Sequence, residues 1–301
     1  KISYLKKIFY PHSLGLFYQT MTQFLGFKNY GDEYKVMGLA SFGKPKFKSE
    51  LKKLLFMKNK YEFRLNLDYF NHQNLNYKLV WPDNKPVFRD FYTSKMKDLF
   101  GEPRKENEKI NQFHMDLASS VQNAYEEIFF TILNEANSGG KYSHLSLAGG
   151  CALNSTANGK IIQNTKFKEL FIQPNAGDAG GALGAALEMY SRLTKKNCGR
   201  MSHAYYGSEY TDAKIKDILS KFSFPKNIKI KHYEDFKELI DFISSKIKNG
   251  CIVGWFQDKM EWGPRALGNR SILADPTNPN IKDIINSKIK RRESFRPFAP
   301  S

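Results

Sequence analysis

Leu14, Phe17, Met21, Phe24 and Leu25 recur at the three- and four-residue intervals of one helix face. His12-Ser13 precedes this run and Gly26 follows it, which are the start and stop signals of a helix. After the polar stretch from Lys28 to Asp32, the segment Glu33–Ala40 predicts a short helix that ends near Gly43-Lys44-Pro45. Residues 61–81 alternate weakly and predict a strand pair. A long helix is expected from about Asn111 to Ala136, with Phe113, Leu117, Val121, Ala124, Ile128 and Ile132 on one face.

The period then changes. His144–Ala148 predicts a short strand that runs into Gly149-Gly150-Cys151-Ala152-Leu153-Asn154 and a helix. Glu169–Gln173 predicts a second strand, which runs into Pro174-Asn175-Ala176-Gly177-Asp178-Ala179-Gly180-Gly181 and a helix to about Leu193. Strand ends that feed glycine loops are where α/β sheets take their ligands, and the repeated strand–loop–helix order places the chain in the α/β class. A polar stretch, Lys195–Arg200, reads as a linker. Beyond it Thr211 caps a helix to about Lys221, Ile228–His232 predicts a strand, Tyr233–Lys248 an amphipathic helix and Cys251–Phe256 a buried strand. A functional loop, Gln257–Asp275, and a helix near Ile281–Lys288 complete the chain. The length of 301 residues fits two domains, 1–200 and 201–301.

Composition narrows the function classes. Hydrophobic residues make up 41% of the chain, enough for folded cores. No apolar run approaches the roughly 20 residues of a membrane helix, so no membrane partner is expected. No signal-peptide pattern is read in this sequence, and Cys151, Cys198 and Cys251 form neither a disulfide framework nor a zinc spacing, so a cytoplasmic setting is expected. The chain starts at Lys1 and stops at Ser301 without a closing helix, and both ends read as cut from a longer protein. The net charge is +17, but its two sources behave differently. The 37 lysines are scattered like a solvated surface, whereas Arg265, Arg270, Arg291, Arg292 and Arg296 are half of the 10 arginines and fall in the last 37 residues. Arginine's rigid fork suits bidentate anion binding, so this cluster reads as a site.

Four segments carry candidate chemistry. Gly149 and Gly150 would let a phosphate or sugar approach the backbone, and Asn154 could reach a ribose or phosphate; an ordinary tight turn is the alternative. Asp178 sits in a glycine frame as a ligand for Mg²⁺ or a redox-type divalent ion, or else as a helix N-cap. Glu33 could reach a ribose hydroxyl and Lys35 a phosphate, although residues two apart cannot share a helix face, and from sequence alone a solvated pair is the better reading. In Gly263-Pro264-Arg265-Ala266-Leu267-Gly268-Asn269-Arg270-Ser271, two glycine turns let Arg265 and Arg270 converge on one anion. Lys290, Arg292 and Arg296 follow. Glu261, Asp275 and Glu293 could instead neutralise the cluster as an arginine–carboxylate network.

These segments together resemble the NodU/CmcH family of carbamoyltransferases. The matching stretches are His12–Gly26, DEYKVMGLASFG, LAGGCALN, QPNAGDAGGALGAAL, HAYYG, GWFQDKMEWGPRALGNRSILADP and KIKRRESFRPFAPS, which are spread over most of the chain; 47–105 is the part without a match. The resemblance implies an actin/sugar-kinase-like ATPase domain, here partial, followed by the start of a YrdC-like α/β domain. It implies that carbamoyl phosphate and ATP with Mg²⁺ form a carbamoyl adenylate, and that the carbamoyl group then passes to a hydroxyl of a small-molecule acceptor beside a metal, Fe²⁺ in many members. Asp178 then matches the metal-binding aspartate. Gly149, Gly150, Asn154, Gly180, Gly181, Glu33 and Lys35 match the nucleotide-contacting region. Arg265, Arg270, Lys290 and Arg292 match the catalytic basic residues, and with Ser271 and Arg296 the carbamoyl phosphate site.

The family's other metal ligands include an HxxxH pair, which His12, His72, His114, His144, His203 and His232 do not form. The fragment alone is therefore expected to be inactive. A tRNA threonylcarbamoyladenosine-type transferase, a nucleotide-binding fragment without activity and a sugar kinase are the competing readings. The domain order and the lack of an aromatic–basic interleave make nucleic acid an unexpected partner. A homodimer is compatible with all of these readings.

Overall fold

The computed structural model describes residues 3–74, 80–81 and 88–298. The chain is a mixed α/β protein, and its contacts divide it into two compact units. The first comprises 1–172 with 176–178, and the second 173–175 with 179–301.

The first unit begins with α1 (Leu14–Phe24), α2 (Glu33–Leu39) and α3 (Lys48–Leu54). Ser13 caps α1 by accepting the Leu16 N–H, and Gly26 ends it with φ +81°. A β-carbon on Gly26 would lie 2.7 Å from the Arg104 carbonyl oxygen, so this turn needs glycine for space as well as for φ. A hairpin of β1 (Leu55–Asn59) and β2 (Glu62–Leu65) follows. The strand pair expected over 61–81 is thus displaced towards the N-terminus: 67–69 is a 3₁₀ turn, and 75–79 lies outside the described residues. The alternation is weak because β2 buries Glu62 beside Lys6 and Arg64, which breaks the apolar/polar rhythm.

After the short α4 (Lys97–Phe100), α5 (Gln112–Ala136) forms the spine of the unit. Asn111 accepts the His114 N–H and His114 Nδ1 accepts the Asn111 N–H, a reciprocal cap at the expected boundary. Phe17, Met21 and Phe24 of α1, Leu39 of α2, Leu51 and Leu54 of α3 and Leu117 and Val121 of α5 are all buried. Towards its C-terminal end α5 packs Phe129, Phe130 and Leu133 against Ile161, Phe167, Leu145, Leu147 and Leu170. That second cluster seats β3 (His144–Leu147) and β4 (Glu169–Ile172), which pair in parallel as the strand–loop–helix pattern requires. The crossover contains α6 (Ser155–Asn158) and α7 (Ile161–Asn164).

In the second unit α8 (Gly180–Thr194), α9 (Asp212–Lys221) and α10 (Phe236–Lys248) occupy the expected segments. Thr211 and Asp235 cap the last two. The expected buried strand is β5 (Val253–Phe256), but alternate residues are exposed because among the described residues it pairs with β6 (Arg270–Leu273) alone. Ile228–His232 is not a strand: it finds no ladder partner among the described residues, and Ile228 and Ile230 are exposed. The chain then forms α11 (Ile281–Ile284), continued by a π-helical turn, Ile285–Lys290. Among the described residues no helix is long and apolar enough to cross a membrane.

Candidate functional site

In the first unit, the strand ends bring the two glycine-bearing loops together. Gly149 leaves β3 with φ +98°, and its N–H donates to the Ala176 carbonyl at 2.8 Å. A β-carbon at Gly149 or Gly150 would meet nothing within 4 Å, so this part of the loop presents bare backbone to open space. The underside is closed. Asn154 caps α6 through Oδ1, which accepts the Ala157 N–H at 3.0 Å, and its amide also pairs with Gln122 of α5. Tyr125 donates its hydroxyl to the Cys151 carbonyl at 3.3 Å. Burial pushes the Cys151 thiol up, and the nearby Glu33 charge adds to that shift, so Cys151 is no activated nucleophile.

The α2 segment lies beside this loop, with Ser155 Oγ 3.6 Å from Met37 Sδ. Glu33 and Lys35 diverge, as residues two apart on a helix must. Burial raises the Glu33 carboxyl above the usual carboxylate range, and Asp32 raises it further. Lys35 Nζ is 2.9 Å from Asp32 Oδ1 and lies over the Phe27 ring. Glu33 therefore faces the Cys151 side, whereas Lys35 forms a largely buried pair with Asp32.

Asp178 is exposed. It is not the cap of α8: Ala179 holds that position, with no side-chain hydrogen bond. Among the described residues no group of three His, Cys, Asp or Glu could hold a metal ion. In the second unit Gly180 is buried and Gly181 is open. A β-carbon on Gly180 would overlap the Gln173 amide and the Asn175 carbonyl.

The arginine segment is organised by a carboxylate. Glu261 is buried, and its Oε1 accepts the backbone N–H groups of Leu267 at 2.8 Å, Asn269 at 2.8 Å and Arg270 at 3.4 Å. Arg270 Nε lies 2.9 Å from Oε2 in an ionic contact. Burial opposes ionisation of Glu261, but the three N–H donors and the Arg270 guanidinium outweigh it and hold its pKa below the usual range. Arg270 Nη2 donates to the carbonyls of Gly263 and Arg265. The chain thus wraps around Glu261, with Arg265 exposed on the outside. Arg270 and Ser271 lie on β6 rather than in the expected loop, because Ser271 pairs with Trp255 and Arg270 with Phe256.

The same segment holds two other motifs. Trp262 donates its indole N–H to Gln173 Oε1 at 3.0 Å, and Gly263, at φ +108°, sits where a β-carbon would come within 2.7 Å of the Pro174 carbonyl oxygen. The Trp262 N–H reaches the Ala204 carbonyl, the Gly207 N–H reaches the Met260 carbonyl, and Tyr205 donates to the Leu267 carbonyl at 3.2 Å.

A second hub serves the last basic residues. Asn286 is buried; its Oδ1 accepts from Arg292 Nε at 2.7 Å, and its Nδ2 donates to the carbonyls of Ser294 and Arg296. Arg292 also lies over the Phe298 ring, Arg296 pairs with Glu293, and Lys290 is exposed. Sequence reasoning had Glu261 only as a neutralising charge and missed Asn286, Gln122 and Gln173. A carboxylate just ahead of a Gly-Pro turn was the available signal for Glu261. The three amides carry no such signal, since their partners lie far off in sequence or on irregular backbone.

Residues 2–187 match the sequence model of the carbamoyltransferase N-terminus, and residues 244–301 that of the carbamoyltransferase C-terminus. The chain is 41% identical over 98% of its length to an uncharacterized protein of Synechocystis sp., covering 46% of that protein. It is 37% identical over 96% of its length to nodulation protein NolNO of Sinorhizobium fredii, covering 39% of it. Over 52% of its length it is 35% identical to the 3'-hydroxymethylcephem-O-carbamoyltransferase of Amycolatopsis lactamdurans, covering 28% of that protein. The chain thus spans less than half the length of these relatives.

Proposed function

We propose, since the chain belongs to the NodU/CmcH carbamoyltransferase family, that it carries the nucleotide loop and the first part of the carbamoyl phosphate site of an ATP-dependent O-carbamoyltransferase. In this reading carbamoyl phosphate is hydrolysed to carbamate and phosphate, and the carbamate attacks the α-phosphate of ATP to give a carbamoyl adenylate and pyrophosphate. The carbamoyl group then passes to a hydroxyl of a small-molecule acceptor with release of AMP. The first part would be an actin/sugar-kinase-like ATPase domain, and the second the start of a YrdC-like domain. Parallel β3 and β4, each ending in a glycine-bearing loop, fit the first assignment. The reaction class agrees with the name of the cephem O-carbamoyltransferase, to which half of the chain is similar.

The observation that carries the reading is the segment wrapped around Glu261, which fixes the backbone from Gly263 to Arg270 and leaves Arg265 on its outer side. A preorganised guanidinium at a turn stabilises phosphate charge without reorganising as charge develops. Arg270 takes a supporting part, with Nε on Glu261 and Nη2 on two carbonyls of the same turn. Lys290, Arg292 and Arg296 would complete the basic side of the pocket. Gly149 and Gly150 would take a phosphate of ATP, delivered with Mg²⁺, and Glu33, half-buried with a raised pKa, would meet a ribose hydroxyl.

The test uses the full-length protein. Arg265→Ala should lower carbamoyl-phosphate-dependent ATP–pyrophosphate exchange by at least about 100-fold, the usual scale for a lost electrostatic donor. Wild-type exchange in that variant would reduce the arginine segment to a structural role.

A further inference from the structure

The Gly149–Asn154 loop has bare backbone above its glycines, so its geometry must be imposed from elsewhere. One end is tied by the Gly149 N–H to the Ala176 carbonyl. The other end is tied by Gln122, a residue with no part in the sequence motifs. Gln122 lies on α5 and is 5% exposed. Its Oε1 accepts from the Tyr18 hydroxyl at 2.8 Å and from Asn154 Nδ2 at 3.0 Å. Its Nε2 donates to Glu126 Oε1 at 2.8 Å and to Asn154 Oδ1 at 3.1 Å. Two donors and two acceptor lone pairs are the whole capacity of an amide, and all are used. Tyr18 and Glu126 also fix which way round the amide sits. Lys160 Nζ holds Glu126 in turn, at 2.9 and 2.7 Å from its two oxygens. Asn154 is thereby locked at both ends of its amide while its Oδ1 caps α6.

We propose that Gln122 is the positioning residue of the Gly149–Asn154 loop, transmitting the fixed geometry of α1 and α5 to the backbone that receives the nucleotide. This rests on the reading of that loop as the nucleotide site. A buried network with every member satisfied gives one conformation, whereas a partly satisfied one leaves alternatives. An ordered loop meets its ligand without a further ordering cost, so the network acts on nucleotide affinity.

The experiment measures ATP binding to the full-length protein by calorimetry, together with kcat and KM for ATP. Gln122→Met keeps the volume and removes all four hydrogen bonds. It should weaken ATP binding by roughly tenfold or more while kcat at saturating ATP stays within about threefold, the signature of lost uniform binding. Gln122→Glu keeps both acceptor positions and places a carboxylate against Glu126. Its affinity relative to wild type at the same pH should be poor at pH near 8 and recover as pH falls towards about 5.5, because a protonated carboxyl donates again. A folded Gln122→Met variant with wild-type affinity overturns the proposal. If that variant does not fold, a Gln122→Glu affinity equal to wild type across the pH range overturns it. Absence of ATP binding by the wild-type protein is a different result: it removes the nucleotide reading itself.

Discussion

At the scale of single residues, buried polar side chains organise both candidate regions. Glu261 satisfies three backbone donors and one guanidinium, so it can be replaced only by a group that accepts as many hydrogen bonds. Glu261→Ala leaves those donors without an acceptor and should destabilise the second unit by about 2–3 kcal/mol, the scale of hydrogen bonds to a charged group. Amide hydrogen exchange at Leu267 and Asn269 should speed up by a matching factor. Unchanged exchange at these two amides would show that the turn holds without the carboxylate. The sequence made Arg265 and Arg270 stand out by type and spacing. It could not show that Arg270 works inwards, on Glu261 and two carbonyls, because that depends on the chain folding back to pair β6 with β5.

At the scale of elements, α1, α5 and α10 were legible because apolar residues recur at helical spacing and Ser13, Asn111 and Asp235 cap them. β6 was not legible: Arg270–Leu273 is a strand only through its partner, and Ile228–His232 alternates without gaining one among the described residues. A strap of irregular backbone shows the same dependence on partners. Residues 43–47 lie along α5, held by the Lys44 N–H on Asp116 Oδ1 at 2.8 Å, Lys46 Nζ on Oδ2 at 2.7 Å and the Phe47 N–H on Ser120 Oγ at 3.0 Å. Gly43 permits the contact, since a β-carbon there would overlap the Met115 carbonyl. Gly43 has an extended backbone that any residue adopts, so the constraint is space alone. Gly43→Ala should cost about 1–3 kcal/mol as an overpacking substitution, read as a lower denaturation midpoint. An unchanged midpoint would mean that the strap can lift from α5 without loss.

At the scale of the whole molecule, three histidines of the first unit set its response to acid. Burial lowers the pKa of His12, His72 and His114; Arg64 adds to the shift at His12, and Glu108 opposes it at His114. His12 Nδ1 accepts the Leu65 N–H, His114 Nδ1 accepts the Asn111 N–H, and His72 Nδ1 is buried with no partner among the described residues, so the fold favours the neutral form of each ring. The unfolded rings bind protons at higher pH than the folded ones, so unfolding takes up protons. Stability should be full above about pH 6.5 and fall as pH drops below it, towards the lowered native pKa values. Asp116 acts lower down: Lys46, Lys44 and Gln112 hold its pKa at about 2, so its contribution is present above the ordinary carboxylate value and lost as pH falls through about 2. Urea midpoints between pH 8 and 5 test the histidine part, and a flat profile there would contradict it. Local spacing by itself determined the main helices, the parallel strand–loop–helix frame, the glycine loops and the arginine-bearing turn, because those signals lie within a few neighbouring residues. Only the tertiary structure decided what orders them: Gln122 under Asn154, Gln173 on Trp262, Glu261 inside the arginine turn and Asn286 behind Arg292. Each of these is a polar group removed from water, and which partner satisfies it is settled when the chain closes around it.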